Sequence, residues 1–174
     1  MAVDPRDELW SAAFDTWYDS YYEEIVSESL IAKWLRLDDI TRVAVAVTAG
    51  GSAIAGLALW KQPEFAWLWP IIATVGAFLA IVTEKLAVSF KLRDHGDTMR
   101  AFSALRIELD TFMYRMRIDP NFDIARFTDE LVAFRKRFAE SYLRVKSDSL
   151  LTTRLQRKCQ AELNQRLASE GKLE

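Results

Sequence analysis

Hydrophobic and polar positions alternate with a helical period at both ends of the chain, and the alternation vanishes in the middle. Leu9, Trp10, Ala13, Phe14, Trp17, Tyr21 and Ile25 recur at helical spacing, with Asp7, Glu8, Asp15, Asp19, Glu23 and Glu24 on the intervening positions. This pattern predicts an amphipathic helix with an aromatic face and a solvated acidic one. Asp4 is its expected N-cap, followed by Pro5 in the first turn. Leu30, Ile31, Trp34 and Leu35 carry the apolar character onward. From Val43 to Trp60 (VAVAVTAGGSAIAGLALW) and from Phe65 to Thr83 (FAWLWPIIATVGAFLAIVT) no residue is charged. Such runs approach the ~20 residues a helix needs to cross ~30 Å of hydrocarbon. The linker Lys61-Gln62-Pro63-Glu64 is short enough to join only antiparallel neighbours. A transmembrane hairpin is therefore predicted over residues 40–84, its first helix capped by Asp38 or Asp39. The alternative is a hairpin buried in a soluble core, for which 174 residues provide little wrapping.

Past the hairpin the helical period returns. Leu86, Phe90, Met99, Phe102, Leu105, Leu109, Phe112, Met113 and Met116 form a stripe expected to continue the second span into a stalk. His95 and Gly96 are its expected hinge, since glycine costs about 1 kcal/mol in a helix interior. Ile118-Asp119-Pro120-Asn121 predicts a turn. A further helix is expected from Asp123, with Ile124, Phe127, Leu131, Phe134, Phe138, Tyr142 and Val145 at heptad-like spacing, which implies a helical partner. Phe127, Leu131, Phe134 and Phe138 are the expected oligomer stripe. Ser147-Asp148-Ser149 interrupts this helix, and Leu151, Leu155, Cys159, Leu163 and Leu167 resume the pattern. The expected fold is an all-α membrane protein. It comprises an N-terminal amphipathic cytoplasmic helix (1–39), a two-helix transmembrane hairpin (40–84), and a cytoplasmic helical stalk and helical hairpin (85–174).

Charge sets the orientation. Lys33, Arg36 and Arg42 precede the uncharged runs and Lys85, Lys91, Arg93 and Arg100 follow them, whereas the linker holds only Lys61. Basic residues collect on the cytoplasmic side, so both termini are expected there. Trp60, Trp67 and Trp69 fit the far interface. Residues 1–40 carry ten acidic against three basic side chains, and residues 84–174 carry fourteen against eighteen. Two readings stand open: ordinary solvated faces, or an acidic arm docked on a basic one, within or between subunits. The basic residues are interspersed with acids, so no nucleic-acid partner is expected. No secretory leader is expected, since the first ten residues lack an apolar segment.

The uncharged runs hold the candidate functional positions. Gly50 and Gly51 in the first run, and Ala73, Gly76, Ala77 and Ala80 in the second, are small residues suited to close helix packing in lipid. They serve either the hairpin itself or assembly between subunits. Thr41, Val45, Thr48, Ser52 and Gly56 line one face of the first helix. That face is either a set of hydroxyls bonded back to their own helix or a pore lining. Arg42 and Glu84 are expected at equal depth, pairing across a cytoplasmic mouth. With one histidine and one cysteine in the chain, no metal site, cofactor or catalytic constellation is expected, and the protein is not expected to be an enzyme.

An aromatic N-terminal helix, a two-helix hairpin with tryptophans near a short turn, and the sequence His95-x-x-x-Met99-x-x-Phe102-x-x-Leu105-Arg106-x-Glu108 after the second span together resemble the SLATT superfamily. The resemblance covers roughly residues 10–160. It implies a bacterial inner-membrane effector that oligomerises and opens a pore in anti-phage defence, stopping growth or killing the cell. It also implies a partner, a nucleotide-signal synthase or sensor encoded separately. The residues themselves leave a second possibility, a membrane-anchored helical scaffold or adaptor without channel activity.

Overall fold

Asp4 begins the first helix as the sequence anticipates. Its Oδ1 accepts from the Arg6 amide at 2.9 Å, and its carbonyl accepts from Asp7 and Glu8. In the computed structural model, which describes residues 4–58, 71, 74–78 and 88–171, helix α1 then runs from Pro5 to Ala58. Three further helices follow: α2 (Val88–Ile118), α3 (Ile124–Lys146) and α4 (Thr153–Ser169). Residues 74–78 are also helical, and no strand occurs among the described residues. The chain divides into two units, one of Met1–Ile31 with Arg93–Glu174 and one of Ala32–Leu92.

The expected cap at Asp38 or Asp39 does not form, because α1 is unbroken there. No proline or glycine lies between Pro5 and Gly50, so nothing interrupts the backbone ladder. The aromatic helix and the first uncharged run are one element. Among the described residues no helix is long and apolar enough to cross a membrane. The turn expected at Lys61–Glu64, Trp60, Trp67, Trp69 and most of the second run lie outside the described residues.

The first unit is built around the N-terminal part of α1. Ala13, Trp17, Tyr21, Ile25, Val26 and Leu30 are all buried. From α2 come Phe102, Leu105, Leu109, Phe112, Met113 and Met116; from α3, Phe127, Leu131 and Val145; from α4, Leu155, Cys159, Leu163 and Leu167. One core therefore draws on all four segments. Some of its aromatic rings meet edge-on, as with Phe112 against Phe127 and Phe134 at 5.5 Å, and others stack, as with Phe122 on Phe127 at 5.1 Å, both arrangements that ring quadrupoles allow.

Local chemistry sets the ends of these helices. Asp123 caps α3, its side chain accepting from the amides of Ala125 and Arg126. At the other end of α3 the Asp148 amide donates to the Val145 carbonyl at 3.1 Å. Thr152 caps α4 through the Leu155 amide. Gly171 follows α4 with φ of 66°, a left-handed conformation that glycine adopts without a Cβ penalty.

The stripe Phe127, Leu131, Phe134 and Phe138, expected at an oligomer contact and under a covering helix, packs in the core of a single chain. Phe127 and Leu131 are buried within one chain, while Phe134 and Phe138 pack against the same core. The helical partner that the heptad spacing calls for is the chain's own α2. Phe90, expected in the α2 stripe, is 67% exposed and belongs to the other unit.

Candidate functional site

Thr41 is buried, and its hydroxyl donates to the Leu37 carbonyl at 2.5 Å. Arg42 pairs with Asp38 one turn back at 2.8 Å; Glu84, its expected partner, lies outside the described residues. Val45 is half-buried. Gly50, Gly51, Thr48, Ser52 and Gly56 belong to α1. Gly76 is half-buried and Ala77 exposed, while Ala73 and Ala80 lie outside the described residues. The same unit leaves Ile40, Val43, Ile71, Val75 and Phe78 open, Ile40 at 67% and Phe78 at 65%.

The first unit encloses a polar pair. His95 on α2 and Asp148 in the turn after α3 have side chains only 1% and 0% exposed, and His95 Nε2 lies 2.8 Å from Asp148 Oδ2. The other carboxylate oxygen accepts from the Leu150 amide at 2.7 Å. His95 Nδ1 has no hydrogen-bond partner among the described residues. Nearby, Thr98 bonds back to the Asp94 carbonyl and Arg144 approaches Asp94 at 3.9 Å. The expected hinge is therefore helical throughout and tied to the α3–α4 turn. A Cβ added at Gly96 would meet nothing within 4 Å, so close packing does not require glycine there.

Glu23 departs furthest from expectation. Its position between apolar residues suggests a solvated carboxylate, yet it is 7% exposed. Burial, reinforced by the negative charge of Asp19 one turn back, pushes its carboxyl up to about 7. It lines a cavity of about 60 Å³ with Tyr22, Val26, Tyr142, Val145, Lys146, Leu151 and Gln156. The Tyr22 hydroxyl is raised to about 12, first by burial and then by the charge on Glu23. Thr16, Ser20 and Ser27 are buried on the same helix, Thr16 and Ser20 bonding back to carbonyls one turn earlier. Small residues at these positions were the available signal that α1 is covered on more than its aromatic side.

Acidic and basic arms meet within the chain. Arg106 bonds Glu24 at 2.8 Å and sits over the Tyr21 ring, while Arg166 reaches Glu28 at 3.2 Å. Arg137 grips Glu108 with two hydrogen bonds of 2.5 and 3.0 Å, and these hold the Glu108 carboxyl below its ordinary range. Arg115 bonds Glu130, which Arg126 also approaches. Cys159 is buried in the core, and burial pushes its thiol up, so it is poorly disposed to act as a nucleophile. Among the described residues no group of three His, Cys, Asp or Glu side chains is placed to hold a metal ion. No family model, no curated protein and no solved structure matches the chain.

Proposed function

We propose that the protein is a bacterial inner-membrane effector that assembles with copies of itself and permeabilises the bilayer in anti-phage defence. One observation carries this reading: two uncharged runs of membrane-spanning length, joined by four residues and flanked by basic side chains, sit in an otherwise charged chain. The exposed Ile40, Val43, Ile71, Val75 and Phe78 agree with a region suited to lipid. The SLATT-like sequence around His95 supports the defence role and a trigger carried by a separate nucleotide synthase or sensor. Hydroxyls at Thr41, Thr48 and Ser52 would hydrate a path between assembled helices, and Val45 would narrow it, a combination able to close by dewetting.

The experiment is ion or dye leakage from cells, and from liposomes containing the protein, after triggering. Leakage that falls in a Thr48→Val, Ser52→Val double variant with assembly intact supports the pore. Triggered wild-type protein that leaks nothing overturns it. The second reading, an anchored scaffold, is favoured by the self-contained core of the first unit, which needs no channel to account for it.

A further inference from the structure

Helix α2 carries two seams. Phe102, Leu105, Leu109, Phe112 and Met116 follow a three-four-three-four spacing and are buried in the core. Ala104, Ile107, Thr111, Tyr114 and Ile118 follow the same spacing, displaced by two positions, and all are exposed, with Ile107 at 59%, Tyr114 at 62% and Ile118 at 58%. Two positions correspond to about 200° around an α-helix, so the second seam faces away from the first. A solvated face would carry charge at some of these five positions, and none does. Charge stands instead at their flanks, with Glu108 and Arg115 on one side and Asp110 and Arg117 on the other. That is a coiled-coil layout with uncharged, mostly apolar a and d positions and charged e and g positions, the Thr111 hydroxyl being bonded back to the Ile107 carbonyl.

We propose that this outer seam is where a second copy of the chain packs, its α2 parallel and in register. The flanking charges fit that occupant. In a parallel pair, Asp110 (a g position) faces the e position five residues on, which is Arg115 of the second copy, and the two-fold axis repeats the pair on the other side. Arg115 already bonds Glu130, but its guanidinium carries five donors, enough for both carboxylates. A groove of about 490 Å³ lined by Trp10, Phe14, Met113, Tyr114 and Arg117 borders the seam on the Asp110 side. An incoming helix would therefore also meet the rim formed by Trp10. The parallel direction rests on the proposed membrane function, since two copies anchored in one bilayer enter the cytoplasm the same way.

The test uses full-length protein with Cys159→Ala and a single new thiol at Ala104→Cys, oxidised in native membranes. In the parallel pair the two thiols face each other; in an antiparallel pair they stand more than ~20 Å apart. We expect a disulfide-linked dimer in most of the protein, and little from a control thiol at Ala133→Cys on the exposed face of α3. We also expect Tyr114→Glu to cut the Ala104→Cys cross-link at least fivefold while leaving helicity unchanged. A cross-link at position 104 no stronger than at position 133, or one indifferent to Tyr114→Glu, overturns the seam. The membrane reading fails separately: leakage without this cross-link sinks only the seam, and a cross-link without leakage supports the seam and counts against the pore.

Discussion

The first unit gathers its largest apolar side chains into one core, while several large apolar side chains described in the second stay open. In the first, Trp17, Phe102, Phe112, Leu109 and Leu163 are at most 1% exposed. In the second, Ile40, Val43, Ile71, Val75 and Phe78 are at least 49% exposed. The first unit also surrounds its core with ion pairs, from Arg106–Glu24 to Arg137–Glu108. The described charges near the uncharged runs stay at their edge, as Arg42 and Asp38 do. Apolar surface removed from water contributes about 25 cal/mol per Å², a gain the first unit realises by folding on itself. Among the described residues of the second unit Trp34 and Val88 are buried, whereas Ile40, Val43, Ile71, Val75 and Phe78 do not share in that gain. On the proposed function, those open side chains would meet hydrocarbon or other copies.

The comparison breaks most visibly in the core. Phe112→Ala should destabilise the first unit by about 3–5 kcal/mol, whereas Phe78→Ala should leave its unfolding transition in detergent unmoved. Equal losses would mean that the two units share one core. Next comes the buried pair. Asp148→Ala strips His95 of its carboxylate and the Leu150 amide of its acceptor, and should cost about 3 kcal/mol in denaturant unfolding. A loss under ~1 kcal/mol would make the pair incidental.

Glu23 sharpens the comparison through pH. Its carboxyl rises from 4.5 to about 7 on folding, so the folded state retains a proton that the unfolded chain releases. Stability linked to this group is fully present below pH 4.5, falls as pH climbs, and is lost above about 7. Glu23→Gln should remove that fall and stabilise the protein at pH 8 by up to about 3 kcal/mol, with little effect near pH 4. An unchanged pH profile would place Glu23 in solvent. The smallest effect should come from Arg137→Ala at the surface, under about 1 kcal/mol.

Much of the first unit was legible from spacing and caps. Asp123, the break at Ser147-Asp148-Ser149 and the α4 stripe depend on local chemistry that a sequence displays directly. Three features depend on which elements meet. Asp38 and Asp39 resemble caps, but a cap needs a helix to start there, and α1 arrives already formed. The Phe127 stripe signals that a helix covers it, without indicating whose. Glu23 occupies a polar position in the pattern of one helix and becomes buried only once α3 and α4 fold over α1. The candidate membrane site was legible as composition alone: Thr41, Arg42 and Val45 are placed, and Glu84 is not.

The central claim is that the uncharged stretch lies in a bilayer while the first unit stays in the cytoplasm. Labelling with a membrane-impermeant thiol reagent tests it most directly, in a Cys159→Ala background with one cysteine at Gln62→Cys or at Ser169→Cys. In intact cells stripped of their outer membrane, the account predicts modification at position 62 from outside and at position 169 only after lysis. Position 169 labelled from outside, or both positions silent until lysis, would contradict it.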